Sequence, residues 1–212
     1  MKSAPKKNCI NHSSTFILPL IIVSLLSTFI PYFKIDLLIT KAIQDVPSHF
    51  FSKTMWFVST IGNIPYIIII VAATCLLFYI FNQKKEAVLL SLTTVGSVLS
   101  GSLIKTLVDR PRPSEDLVQV SAWLSDKSFP SNHTLVFTLF FGFLLYLLFY
   151  KQKRTILHFL FALILFFPIA TIGLSRIYLG VHWASDVLGG YLLGIIWLIF
   201  TIRLYNSYHG KR

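Results

Sequence analysis

The sequence is short of charge. Only 13% of its 212 residues are Asp, Glu, Lys or Arg, about half the share of a soluble domain. Water is therefore not its main solvent. With 55% hydrophobic residues and a mean hydropathy of +0.71, the chain reads as a membrane protein. Negative charge is scarcest, with 8 Asp and Glu against 19 Lys and Arg and a net charge of +11. A surplus of that size can signal nucleic acid. Here the basic residues fall in short clusters between apolar runs rather than in one solvated patch, which fits membrane topology and argues against a nucleic-acid partner. Cysteine is nearly absent. Cys9 precedes the first apolar run and Cys75 lies within the second, so a disulfide between them is not expected. No small-x-small cleavage site occurs before Tyr32, and the basic, polar residues 1–14 read as a cytoplasmic tail ahead of a retained helix rather than as a signal peptide. There is no internal repeat and no low-complexity tract.

What is present is apolar and helical in length. Runs over 16–33, 64–81, 87–104, 135–150, 156–174 and 187–202 are each long enough to cross a bilayer or close to it. They predict one all-α domain over 1–212, a polytopic membrane protein of six transmembrane helices. Between the first two runs, apolar residues at 35, 38, 39, 42 and 43 alternate with Asp36, Thr40, Lys41 and Gln44. That is helical amphipathicity and suggests a short interfacial helix, with a plain connecting loop as the alternative. Residues 50–61 carry Phe50, Phe51, Trp56 and Phe57, rings suited to the headgroup level. The third run is dotted with Ser, Thr and Gly, among them Gly96 and Gly101, which allow close helix packing. With the N-terminus in the cytoplasm, Lys84, Lys85, Lys151, Lys153, Arg154 and Arg203 all fall inside, as does the tail 203–212. The long polar segment 105–133 then faces outward.

Three clusters of chemistry sit at helix ends on that outer face. The first is Lys105 with Arg112, seven positions on and flanked by Pro111 and Pro113. An ammonium and a guanidinium fork together suit a phosphoryl group, although lysine and arginine at this depth also serve as headgroup anchors. The second is Pro130-Ser131-Asn132-His133 just before the fourth run. Ser131 or Asn132 can cap that helix, whose N-terminus offers an anion seat. The third is Ser175-Arg176, then His182 and Asp186. His182 and Asp186, four apart, face the same way if helical. The carboxylate can then hold one ring nitrogen and leave the other free to attack.

In order and internal spacing these blocks resemble the signature of the phosphatidic acid phosphatase type 2 superfamily of membrane lipid phosphatases: Lys-x6-Arg-Pro, Pro-Ser-Gly-His and Ser-Arg-x5-His-x3-Asp. One position departs, Asn132 standing where the family has glycine. The resemblance implies catalytic roles for His182 as nucleophile, Asp186 as its orienting carboxylate and His133 as proton donor to the leaving oxygen. It implies that Lys105, Arg112, Ser131, the backbone N–H of Asn132, and Arg176 hold the phosphoryl oxygens. It further implies a lipid mono- or diphosphate substrate drawn from the membrane lipids, with undecaprenyl diphosphate, phosphatidylglycerophosphate and phosphatidic acid as choices. No cofactor and no metal are expected, since side chains supply the cations and the loops lack a carboxylate cluster of the kind magnesium uses.

Outside the blocks, Arg110 is expected near the mouth of the site, within possible reach of substrate. Asp109, Glu115, Asp116 and Asp126 are expected to be solvated loop charges. Trp123 and Trp183 are expected to flank the site, against lipid chains or as interface anchors. Two other functions remain compatible with the same residues: a transferase passing the phosphoryl group to a second acceptor, and a non-catalytic phospholipid-binding membrane protein.

Overall fold

A computed structural model describes residues 12–122, 124–150 and 155–209. Cys9, Trp123, the basic turn 151–154, the first residues of the N-terminal tail and the last three of the C-terminal tail lie outside the described residues.

Every regular element among the described residues is helical: α1 (His12–Phe29), α2 (Lys34–Gln44), α3 (His49–Ile61), α4 (Ile64–Ile80), α5 (Lys84–Val108), α6 (Asn132–Tyr150), α7 (Ile156–Tyr178) and α8 (Ala184–His209). Of these, α5, α6, α7 and α8 are long and apolar enough to span a membrane singly. The pairs α1–α2 and α3–α4 qualify only as bent units, with bends of 94° and 65°, which brings the total to as many as six. The first bend follows Pro31, which helps to end α1 short of the expected limit at residue 33. Pro19 lies inside α1.

α6 is the hub. Its first half is almost wholly buried, from Thr134 through Phe140, and it packs chiefly against α8 and α7. The α6–α8 contact is close because Gly190 and Gly194, one turn apart, face α6. A Cβ at Gly190 would come within 2.6 Å of the Ser131 carbonyl oxygen, and one at Gly194 within 2.7 Å of Thr138. This small-xxx-small pattern lets two backbones meet where hydrophobic driving force between helices is weak. Gly96 and Gly101 on α5 serve as expected, making room for Trp197 and Asn132.

The outer surface carries the apolar side chains. Leu163, Ile164, Phe166 and Phe167 on α7 are exposed, and α4 has no buried residue at all. In water such a surface would aggregate; against lipid tails it is matched. The 25 residues of α5 make a rod of about 37 Å, longer than the roughly 30 Å hydrocarbon core. Its C-terminal end, with Lys105, thus reaches headgroup level.

Candidate active site

One end of the bundle gathers what the sequence scattered. Lys105 closes α5, Asn132 and His133 open α6, Arg176 ends α7, and His182 lies in the turn before α8. With Arg112 from the loop after α5, these six residues line one cavity of about 450 Å³, together with apolar Ile64, Ile67, Val98, Val136 and Phe137. The remaining two expected residues, Ser131 and Asp186, are fully buried behind it.

His182 is held between charges of opposite sign. Its Nε2 lies 3.3 Å from Arg112 Nη1. A guanidinium can only donate, so in this contact Nε2 accepts and presents its lone pair. The ring proton then belongs on Nδ1, which faces Asp186 Oδ2 at 3.7 Å, beyond hydrogen-bond range. Burial, then Arg112, Lys105 and Arg176, push the imidazole well below the ordinary histidine pKa. The ring is neutral and able to attack at physiological pH.

Asp186 is pinned from behind. Its Oδ1 accepts from Arg110 Nη1 at 2.6 Å. Its Oδ2 accepts from the Trp183 backbone N–H at 2.8 Å and from the Ser128 hydroxyl. Arg110 therefore does not stand at the mouth of the site, as expected from sequence; it is 1% exposed. It also donates from Nη2 to Asp36 Oδ2 at 2.9 Å, from Nε to the Pro31 carbonyl at 3.0 Å and from Nη1 to Ser185 Oγ at 2.7 Å. Asp36 accepts in addition from the Ser185 N–H and hydroxyl, both at 2.8 Å. The divergence of Arg110 and Arg112 follows from their prolines. Proline fixes φ near −65° and favours a three-fold extended helix, in which residues two apart point to different sides.

Asp126 also departs from expectation. It is no freely solvated charge: Oδ1 takes Arg112 Nη2 at 2.6 Å and Oδ2 lies 3.1 Å from Lys105 Nζ. Burial works against its ionisation, but Lys105 and Arg112 outweigh it and hold the carboxyl below the usual range. Trp183 neither anchors nor meets lipid; it is buried and stacks on Tyr32 at 5.2 Å.

Across the cavity, His133 Nε2 approaches Asn63 Oδ1 at 3.4 Å. Gly62 lies beneath the ring, where a Cβ would meet Cδ2 at 2.5 Å. Arg176 donates from Nη1 to Ser59 Oγ at 2.6 Å, while its buried Nε has no partner among the described residues. The Ser131 hydroxyl accepts from Thr134 Oγ1 at 3.0 Å, and the Ser131 N–H donates to the Asp186 carbonyl at 3.0 Å. Sequence reasoning passed over Gly62, Asn63 and Ser128. A Gly-Asn break inside an apolar stretch was the one available sign of the first two.

Residues 86–209 match the PAP2 superfamily. The chain belongs to that family. PAP2 membership makes it a multi-pass membrane enzyme, a lipid phosphate phosphatase. Phosphatidylglycerophosphatase B of Bacillus subtilis is 26% identical over 182 residues, covering 81% of this chain and 83% of that one. YbjG of Escherichia coli, described as a "putative undecaprenyl-diphosphatase", is 38% identical over 92 residues, 39% of this chain and 41% of its own. In fold, the PAP2 chain resembles the crystal structure of a transmembrane PAP2-type phosphatidylglycerolphosphate phosphatase from Bacillus subtilis. The TM-score is 0.79 at 20% identity, over 92% of this chain and 96% of the other.

Proposed function

We propose that this enzyme hydrolyses a lipid mono- or diphosphate through a phosphohistidine on His182. The supporting observation is the cavity itself, where two imidazoles and three cations converge at the end of an apolar bundle. His182 Nε2 attacks phosphorus while the bond to the leaving oxygen breaks. His133 delivers a proton to that oxygen. Lys105, Arg112, Arg176 and the N-terminus of α6 balance the charge that shifts onto the phosphoryl oxygens. Asp186 stabilises the Nδ1–H side of the ring as it becomes positive. Water, deprotonated by His133, then attacks phosphorus, the P–N bond breaks, and inorganic phosphate leaves.

The substrate tail belongs in the bilayer beside the cavity. Lys84 and Lys85 at the start of α5 and Arg203 near the end of α8, away from the cavity, favour a cytoplasmic location for both termini and an outward-facing site. Among candidate lipids we favour undecaprenyl diphosphate, the substrate in the description of YbjG, ahead of phosphatidylglycerophosphate and phosphatidic acid. The test is phosphate release from a panel of these lipids in mixed micelles with EDTA present. One or more should be hydrolysed, and His182→Ala should abolish turnover. Undiminished release from that variant would refute the assigned nucleophile.

A further inference from the structure

Lys105 and Arg112 are not waiting bare for a phosphate. Each already holds one oxygen of the same carboxylate, Asp126, at 3.1 and 2.6 Å. Two oxygens bridging an ammonium and a guanidinium is also how a phosphoryl group would sit there. The carboxylate and both cations line the cavity that contains His133 and His182.

The burial of the partners is unequal. The side chains of Lys105 and Arg112 are 8% and 13% exposed, and that of Asp126 is 55% exposed. An ion pair with one partner in solvent is weak and readily exchanged. The segment that carries Asp126 is fixed by other means. Arg112 Nε donates to the Asp126 carbonyl at 2.8 Å, the Ser128 N–H donates to the Arg110 carbonyl at 2.9 Å, and Lys127 Nζ pairs with Asp109 at 2.6 Å. Lys105 Nζ also donates to the Lys127 carbonyl. The Asp126 side chain can therefore leave the cations while its backbone stays in place.

We infer that Asp126 is a resident competitor for the phosphate seat, yielding Lys105 and Arg112 to the incoming phosphoryl group and reclaiming them as inorganic phosphate departs. The inference rests on the reading of Lys105 and Arg112 as phosphate holders given above. A phosphoryl group wins the exchange because it carries more charge than a carboxylate and can engage Arg176 as well. The returning carboxylate opposes retention of the product. An alternative role, in which Asp126 aligns the two cations for substrate, has the opposite sign.

The experiment measures competitive inhibition by inorganic phosphate, with KM for a lipid phosphate, in wild type and in Asp126→Asn, Asp126→Ser, Lys105→Met and Arg112→Met. Both neutral variants at 126 retain the backbone carbonyl that binds Arg112, and two of them guard against one misfolding. The phosphate Ki should fall roughly three- to tenfold in each, with KM falling in parallel, while Lys105→Met and Arg112→Met raise Ki. If the cation variants raise Ki but the neutral variants at 126 leave it unchanged or raise it, the competitor role is wrong and the phosphate seat stands. If the cation variants leave Ki unchanged, the seat itself is misassigned and the competitor role falls with it.

Discussion

The site contains two carboxylates, Asp186 and Asp126, and the structure treats them oppositely. Asp186 is wholly buried and engages Arg110, Ser128 and the Trp183 N–H. Asp126 stands half in solvent and holds two of the three cations of the cavity, Lys105 and Arg112. The same functional group is fixed apparatus in one place and an exchangeable counter-ion in the other. Burial makes the difference. Removing one partner from a buried pair strands a charge that solvent cannot reach; removing one from an exposed pair leaves water to replace it.

The largest test of that contrast falls on Arg110. Arg110→Met leaves Asp36 and Asp186 facing each other without a cation. The expected cost is roughly 3–5 kcal/mol of stability, read by thermal unfolding in detergent. Misplacing Asp186 behind His182 by as little as about 3 kcal/mol of alignment lowers turnover roughly a hundredfold. Adding Asp36→Asn should recover stability, since one stranded charge is gone, without recovering turnover. Recovery of both would mean that Arg110 matters only for holding α2 in place.

Next in size is Gly62→Ala. Among the described residues His133 makes no ion pair and no short hydrogen bond; its Nε2 lies 3.4 Å from Asn63 Oδ1, and its ring rests over position 62, which has no side chain. A Cβ there displaces the ring. General-acid catalysis contributes about 10²–10⁴, so turnover should fall ten- to a hundredfold with KM little changed. A KM effect alone would argue that His133 binds rather than protonates. Smaller again is Ser128→Ala, which removes one donor from Asp186 while Arg110 and the Trp183 N–H remain. A hydrogen bond to a charged group is worth about 1.5–3 kcal/mol; with only part of that loss felt as misalignment of Asp186, turnover should drop about tenfold, with the thermal midpoint lowered in step.

How much of this was legible beforehand depended on whether a residue's meaning was local. Lys105, Arg112, His133, Arg176 and His182 were readable because helix ends and fixed spacings are local properties, and the cavity brings them together. Asp36 was not. The pattern over 35–43 shows an amphipathic helix and suggests one lying along the interface, but it does not say which way the polar face turns. In the structure Asp36 and Thr40 are buried, Gln44 donates to the Gln119 and Tyr178 carbonyls at 2.7 and 2.9 Å, and Ile35 and Leu38 are exposed. In a membrane protein the apolar face can look outward to lipid and the polar face inward, and the periodicity is identical either way. Arg110 and Asp126 failed for a related reason. Their partners lie 76 and 14–21 positions away, and nothing local distinguishes a charge destined for burial from one left in solvent.

The smallest effect compares the two carboxylates through the ring of His182. Protonated, that ring cannot attack. Burial and the three cations lower its pKa, so the acid limb of kcat/KM that it sets should lie below the ordinary histidine value of 6.5. Asp126 acts in the other direction, favouring the imidazolium, and is the weakest of these influences. Asp126→Asn therefore shifts the acid limb to still lower pH, by less than about one pH unit because the charge is partly screened. Its sign separates two accounts of Asp126. As a counter-ion it can only move the limb downward when removed. If it instead held Arg112 against His182, its loss would let the guanidinium swing away, and the limb would rise.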